Sequence, residues 1–166
     1  MTQTFHEILK TQVKKFADKP ALIDGITTLT YSQLAHKVEI FAGALISISR
    51  SSHEKLGILC VNQKENLIAL LGSLLAGVPV VPLNPLLTLE DLAFILKDAS
   101  VDILLINGSF VKPESVDFLQ LFEHVIVTQP YSLELKIRNI TTFEKFIENA
   151  LPLTQKVKQR KDVPDV

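Results

Sequence analysis

The chain has 166 residues, 47% hydrophobic and 21% charged, which suffices for one domain with its own core. Its 17 basic and 18 acidic residues give a net charge of -1, so there is no electrostatic case for binding DNA or RNA. The single cysteine, Cys60, excludes an internal disulfide framework and suits a cytosolic compartment.

Thr2 to Lys19 mixes charge with apolar residues, so no secretory signal is expected there. Phe5, Ile8, Leu9, Val13 and Phe16 share one face of an opening helix, and Thr4 and Glu7 are spaced as its capping box. Pro20 ends that helix. Ala21 to Asp24 and Thr27 to Thr30 read as two short strands around Gly25, a hairpin at a sheet edge. Thr30 with Gln33 opens a second helix whose buried stripe is Leu34, Val38, Phe41, Leu45 and Ile48. A polar loop from Arg50 to Lys55 follows.

From Leu56 strand and helix alternate: Leu56 to Val61, Gln63 to Ala76, Val78 to Leu83, Leu89 to Ala99, Val101 to Ile106, Pro113 to Phe122, Val125 to Thr128. This pattern predicts an α/β fold, a mostly parallel sheet with helices on both faces, preceded by the N-terminal helix and edge hairpin. The strands are apolar runs without alternation, as a sheet covered on both faces requires. The helix from Gln63 is apolar almost all round, which predicts an interior position. Gly77 is placed as its left-handed stop, Val78 to Leu83 as a strand buried on both faces, Asn84-Pro85 as a turn, and Thr88 as the next helix cap. The uncharged run from Leu67 to Leu83 is divided by Gly77, Pro79 and Pro82, so a core helix and a strand are expected in place of a membrane span.

After Pro130 the pattern fades. Phe143 to Leu151 predicts a short helix, and Lys156, Lys158, Arg160 and Lys161 form a basic tail ending in Asp162 to Val166. Residues 1–151 are therefore read as one α/β subdomain and 152–166 as a solvated, mobile linker.

Chemistry-bearing signatures are mostly lacking. The sequence holds no GxxxxGK[ST], GxGxxG or GxSxG, and His6, His36, His53 and His124 are scattered without metal-ligand spacing. Cys60 has no flanking cation to activate it and reads as a small core residue. Glu90 and Asp91 suit the positive N-terminus of the helix begun at Thr88. Four strands end in Asn62, Asn84, Asn107 and Thr128, which could line a ligand rim at the carboxyl ends of a parallel sheet. The plainer reading gives Asn62 a helix cap, Asn84 a turn before Pro85, and Asn107-Gly108 an ordinary turn. The sequons at Asn107 and Asn139 are read as chance. No catalytic, cofactor-binding or metal-binding residue is assigned.

LTYSQL at Leu29 to Leu34 and LLAGVPVVPLNPLLT at Leu74 to Thr88 resemble core motifs of the adenylate-forming, AMP-binding superfamily of acyl-CoA synthetases. KLGILCVNQKENLIALLGSLLAG and TLEDLAFILKDASVDILLI keep that superfamily's order, so the resemblance covers roughly Pro20 to Ile106. It implies an enzyme that activates a carboxylic acid with ATP and passes the acyl group to coenzyme A. The Asn-Pro-Leu-Leu-Thr continuation is closer to fatty acyl and aryl CoA ligases than to peptide-synthetase adenylation domains, which usually carry Asp-Pro.

The family's Ser/Thr/Gly-rich phosphate loop ending in lysine is not found in the sequence, and in the family it follows a segment resembling Asp162 to Val166. The resemblance therefore implies the first third of a ligase, inactive by itself, with ATP, Mg and CoA belonging to the parent enzyme. Its partners would be the remainder of the same polypeptide and a fatty acid or related carboxylic acid. A cytoplasmic place, with contact at the inner membrane face as an option, and self-association through an exposed apolar face are the accompanying expectations. Other members stay open: an aryl-CoA ligase, an acyl-AMP ligase or a peptide-synthetase domain. So do a stand-alone binding module and an unrelated flavodoxin-like binder, although Val61 to Lys64 lacks the glycines and hydroxyls of the latter's phosphate loop.

Overall fold

The computed structural model describes residues 4–25, 27–49, 54–129 and 139–154. Helix α1 (Phe5–Phe16) starts where expected, with Glu7 N donating to Thr4 Oγ1 at 3.3 Å and Thr4 N to the Glu7 carboxylate at 2.9 Å. Strands β1 (Pro20–Asp24) and β2 (Thr27–Thr30) form an antiparallel hairpin around Gly25, which takes φ 57. Helix α2 (Tyr31–Ile48) opens on the same reciprocal cap, made by Thr30 and Gln33.

The remaining strands are β3 (Leu56–Leu59), β4 (Val80–Pro82), β5 (Ile103–Asn107), β6 (His124–Thr128) and β7 (Ile140–Thr142). They pair in parallel in the order β4-β3-β5-β6-β7. Helix α3 (Lys64–Ala76) joins β3 to β4, α4 (Leu89–Asp98) joins β4 to β5, α5 (Val116–Leu119) precedes β6, and α6 (Phe143–Glu148) follows β7.

The two-residue period of the strands divides the core in two. Leu56, Ile58, Cys60, Ile103, Leu105 and Ile126 face α2, α3 and α6. Leu59, Leu104, Ile106, Val125 and Val127 face α4 and α5. Every residue of β3 and β5 is buried, so continuous apolar runs report a sheet covered on both sides. The chain leaves β3 for the edge strand β4, then reverses past β3 to β5. Crossovers of one hand then require α3 and α4 on opposite faces, as found.

Two glycines allow close approaches. A Cβ on Gly72 of α3 would lie 2.7 Å from Cδ1 of Phe41, so α2 and α3 pack through a side chain the size of hydrogen. Gly43 of α2 admits the backbone of Leu151, against which Leu153 is buried and Thr154 Oγ1 donates to Glu39 at 3.0 Å.

Several expectations are corrected. Helix α3 is not interior all round: Glu65, Ile68, Ala69, Gly72 and Ser73 are buried, whereas Leu67, Leu70 and Leu71 are half-buried and Leu74 is 53% exposed. Composition reports how apolar a helix is, but the number of neighbours decides how many sides are covered. The strand read as Val78 to Leu83 is only Val80–Pro82, half-exposed at the sheet edge, since Pro79 and Pro82 lack the N–H that a central strand needs. Pro113 to Phe122 is a 3-10 turn at Pro113–Ser115 followed by the short α5, closed by an edge-on contact of Phe118 and Phe122 at 5.3 Å. Strand β7 escapes the sequence pattern because three residues carry too little periodicity, and α6 stops at Glu148, short of Leu151.

His53, most of the Arg50 to Lys55 loop, and the linker from residue 155 with its basic tail lie outside the described residues. Among the described residues no helix is long and apolar enough to cross a membrane.

Candidate functional site at the carboxyl ends of the sheet

In an open parallel sheet ligands sit outside the carboxyl ends of the strands, at the point where the strand order reverses. Here that point lies between β3 and β5. Two of the four polar strand ends singled out from sequence, Asn62 and Asn107, border it, and a third joins them from the next strand: Asn107 and Thr128 are paired across β5 and β6, 2% and 0% exposed. Asn62 is exposed beside them. Asn84 stands apart after β4, where its Oδ1 accepts from Leu86 N at 3.0 Å and its carbonyl from Leu87 N at 3.2 Å. That is the turn expected before Pro85.

The residue that organises this rim is Gln63, which in the sequence reads only as a helix start. Its side chain spans the end of β5: Oε1 accepts from Asn107 Nδ2 at 3.0 Å and from Gln129 Nε2 at 3.1 Å, and Nε2 donates to Thr128 Oγ1. Asn107 Oδ1 in turn accepts from Ser109 N at 2.9 Å. The only signal in sequence is the polar pair after the first apolar run, where Asn62 draws attention first. Asn62 does not cap α3. That helix begins without a cap from its own flank, and Lys64 N donates instead to the Asp24 carboxylate at 2.8 Å, from the hairpin 40 residues earlier.

A cavity of about 300 Å³ opens beside Gln63. Asp24, Asn62, Gln63 and Asn66 line one end, and Leu22, Ile23, Leu67 and Leu70 the other. Its polar end therefore offers carboxamides and one carboxylate that already serves the α3 N-terminus.

Cys60 lies under this rim, 8% exposed. Burial pushes its thiol from the ordinary 9.0 up to about 12, partly offset by a hydrogen bond from Thr128 and reinforced by the nearby Glu65 carboxylate. The folded state then holds the thiol proton where the unfolded chain would release it, so stability contributed by Cys60 is intact below pH 9 and is lost as pH rises toward 12. Wild type compared with Cys60→Ala in urea melts from pH 8 to 11 should show this extra alkaline loss in the wild type alone. Rapid iodoacetamide labelling of the native protein at pH 8 would contradict it.

At the close of α3 and the start of α4 the plainer readings hold. Thr88 caps α4 by accepting from Asp91 N at 3.1 Å, and Glu90 and Asp91 occupy its first turn. Gly77 closes α3 in the left-handed region, φ 73. His6, His36 and His124 belong to separate elements, and among the described residues no group of three or more His, Cys, Asp or Glu could hold a metal ion. The rim thus holds its shape by hydrogen bonds between uncharged groups.

The model of the AMP-binding enzyme family matches residues 9–165. The chain belongs to the AMP-binding enzyme family. A long-chain-fatty-acid–CoA ligase of Yersinia pestis is 30% identical over 125 residues, which cover 74% of this chain and 22% of that protein. Tyrocidine synthase 3 of Brevibacillus parabrevis is 30% identical over 105 residues, covering 63% of this chain and 2% of that protein. A benzoate CoA ligase from Burkholderia xenovorans LB400 has the same fold, with TM-score 0.76 and 27% identity over 91% of this chain and 29% of that one. The chain spans less than a third of each of these relatives. CoA ligases and a tyrocidine synthase are both among them, so membership extends to the AMP-binding family and not to one acid substrate.

Proposed function

We propose that this chain is scaffold for a fatty acid CoA ligase, which joins a fatty acid to ATP as an acyl-adenylate with loss of pyrophosphate and passes the acyl group to the thiol of coenzyme A. What supports this reading is that the 30% identity to a long-chain-fatty-acid–CoA ligase extends over 74% of the chain, against 63% for the equally identical tyrocidine synthase 3. The Asn84-Pro85-Leu86-Leu87-Thr88 block adds support, because the residues that favour CoA ligases are those that build the Asn84 turn and the α4 cap.

The hydrogen-bonded rim does not fit a triphosphate or its magnesium. Gln63, Asn107, Thr128 and Gln129 carry no charge, and no metal-binding cluster stands among the described residues. We accordingly assign them no chemical step. Residues 1–151 act as the first subdomain, against which Leu153 and Thr154 still pack, with the rest of 152–166 leading onward, and the remainder of the same polypeptide is the partner. The open side of α3 supports that partner: Leu74 is 53% exposed and Ile23 of the hairpin 70%, with Leu67 and Leu70 half-buried between them. A surface of this kind requires a cover, and without one it favours self-association.

The test is ATP–pyrophosphate exchange by the protein expressed from its complete reading frame, with fatty acids of graded length, benzoate and amino acids in turn, followed by a thioester assay with CoA. Exchange that depends on a fatty acid and yields acyl-CoA is the expected result. Exchange driven by amino acids, with no CoA product, would overturn it in favour of a peptide-synthetase domain.

A further inference from the structure

Three independent observations converge on Gln63. The first is topological: the reversal in strand order falls between β3 and β5, and Gln63 and Asn107 stand on either side of it, bonded at 3.0 Å. The second is the pattern of bonds. One carboxamide ties together the ends of three strands, and two of its partners, Asn107 and Thr128, are almost wholly buried. Without Gln63 the Asn107 amide N–H would lose its partner in a place closed to water, while Asn107 keeps only its bond from Ser109 N and Thr128 its bond to Cys60. The third is conformational: Gln129, the residue leaving β6, has φ 73, a left-handed backbone that non-glycine residues adopt at a cost, and its side chain bonds to Gln63.

We propose that Gln63 is a positioning residue for the adenylate-forming site: by joining the ends of β3, β5 and β6 it fixes Asn107, Thr128 and Gln129 on the ligand side of the sheet. This rests on the ligase reading above. Gln63 acts through Asn107 and Gln129 and touches no reacting atom. Gln63, Asn107, Thr128 and Gln129 are all uncharged, so the network works by geometry.

The experiment uses the protein expressed from its complete reading frame and compares wild type, Gln63→Met, Gln63→Glu and Thr4→Ala. Methionine keeps the length and removes all three bonds. Glutamate can still accept from Asn107 and Gln129, and the Thr128 hydroxyl can turn to donate to it. Thr4→Ala removes a remote helix cap and so controls for lost stability. Assays are run well below every melting temperature.

In Gln63→Met the KM for ATP or for the acid should rise about tenfold, the scale of one or two lost hydrogen bonds, with kcat within about twofold. Gln63→Glu should stay within about threefold of wild type and Thr4→Ala should match it. Unchanged KM values in Gln63→Met, or an equal rise in Thr4→Ala, would overturn the positioning role. A wild type without any acid-dependent exchange would instead remove the ligase reading, and this inference with it.

Discussion

Phe41→Ala is expected to cost about 3–5 kcal/mol of folding free energy. The side chain is wholly buried in α2 and is the point where three helices meet. Its ring stacks on Phe143 at 5.6 Å and meets Phe146 edge-on at 5.5 Å, which ties α6 to α2. It also fills the space over Gly72, so α3 rests directly on it. Truncation would leave a cavity lined by a central helix pair and a stack of aromatic rings, neither of which can collapse without moving backbone.

Urea melts should place the midpoint far below wild type, while Ile23→Ala, at a side chain 70% exposed, should shift stability by less than about 0.5 kcal/mol. A second measurement isolates the contact. Gly72→Ala alone should destabilise, because its Cβ would lie 2.7 Å from the Phe41 ring, yet in the Phe41→Ala background its cost should shrink, since only the contacts of 3.2 Å with Cβ of residue 41 and Val38 O remain. Additive effects of the two substitutions would show that Phe41 and Gly72 do not share that space.

Gly43→Ala carries the second-largest effect, and here the sign is the test. In an isolated helix, replacing an interior glycine by alanine stabilises by roughly 1 kcal/mol. In this protein the new Cβ would lie 1.9 Å from Leu151 O, 3.1 Å from its carbonyl carbon and 3.3 Å from Leu153 N, all backbone atoms that no rotamer change can move. The Leu151 to Thr154 segment must lift away, exposing Leu153 and breaking the Thr154–Glu39 hydrogen bond. The expected outcome is a net loss of about 1–3 kcal/mol, together with faster amide exchange at Leu153. A gain in stability would mean that this segment does not rest on α2.

The parts of the fold that are legible in the sequence are those settled by residues close together in the chain. Thr4 with Glu7 and Thr30 with Gln33 place two helix starts to the residue, because a capping box closes within one turn. Gly77 marks the end of α3, since only a residue without a Cβ enters the left-handed region there freely. The apolar runs at Leu56 to Val61 and Val101 to Ile106 announce a sheet covered on both faces, and the strands Leu56–Leu59 and Ile103–Asn107 lie within or beside them, buried throughout. The family resemblance carried by Leu29 to Leu34 and Leu74 to Thr88 agrees with the family that matches residues 9–165.

The candidate site is legible only as four polar strand ends. Asn107 and Thr128 stand out in the sequence, but the residue linking them, Gln63, makes its bonds to partners at separations of 44, 65 and 66 residues. No local pattern encodes such a bond. Asp24 capping α3 across 40 residues is hidden for the same reason, and local spacing points instead to the adjacent Asn62. The full burial expected of α3 fails differently: its composition is uniform, but α2 and the sheet cover one side only.

The sequence by itself therefore determined the order of the elements apart from β7, the caps of α1, α2 and α4, the parallel sheet and the AMP-binding family, all of which rest on short-range stereochemistry, apolar periodicity and recognisable motifs. The tertiary structure alone decided the strand order β4-β3-β5-β6-β7, the edge position of β4, the open face of α3 and the Gln63 network. Each of these depends on which distant segments become neighbours, and that follows from how the two apolar faces of the sheet are covered, not from any local run of residues.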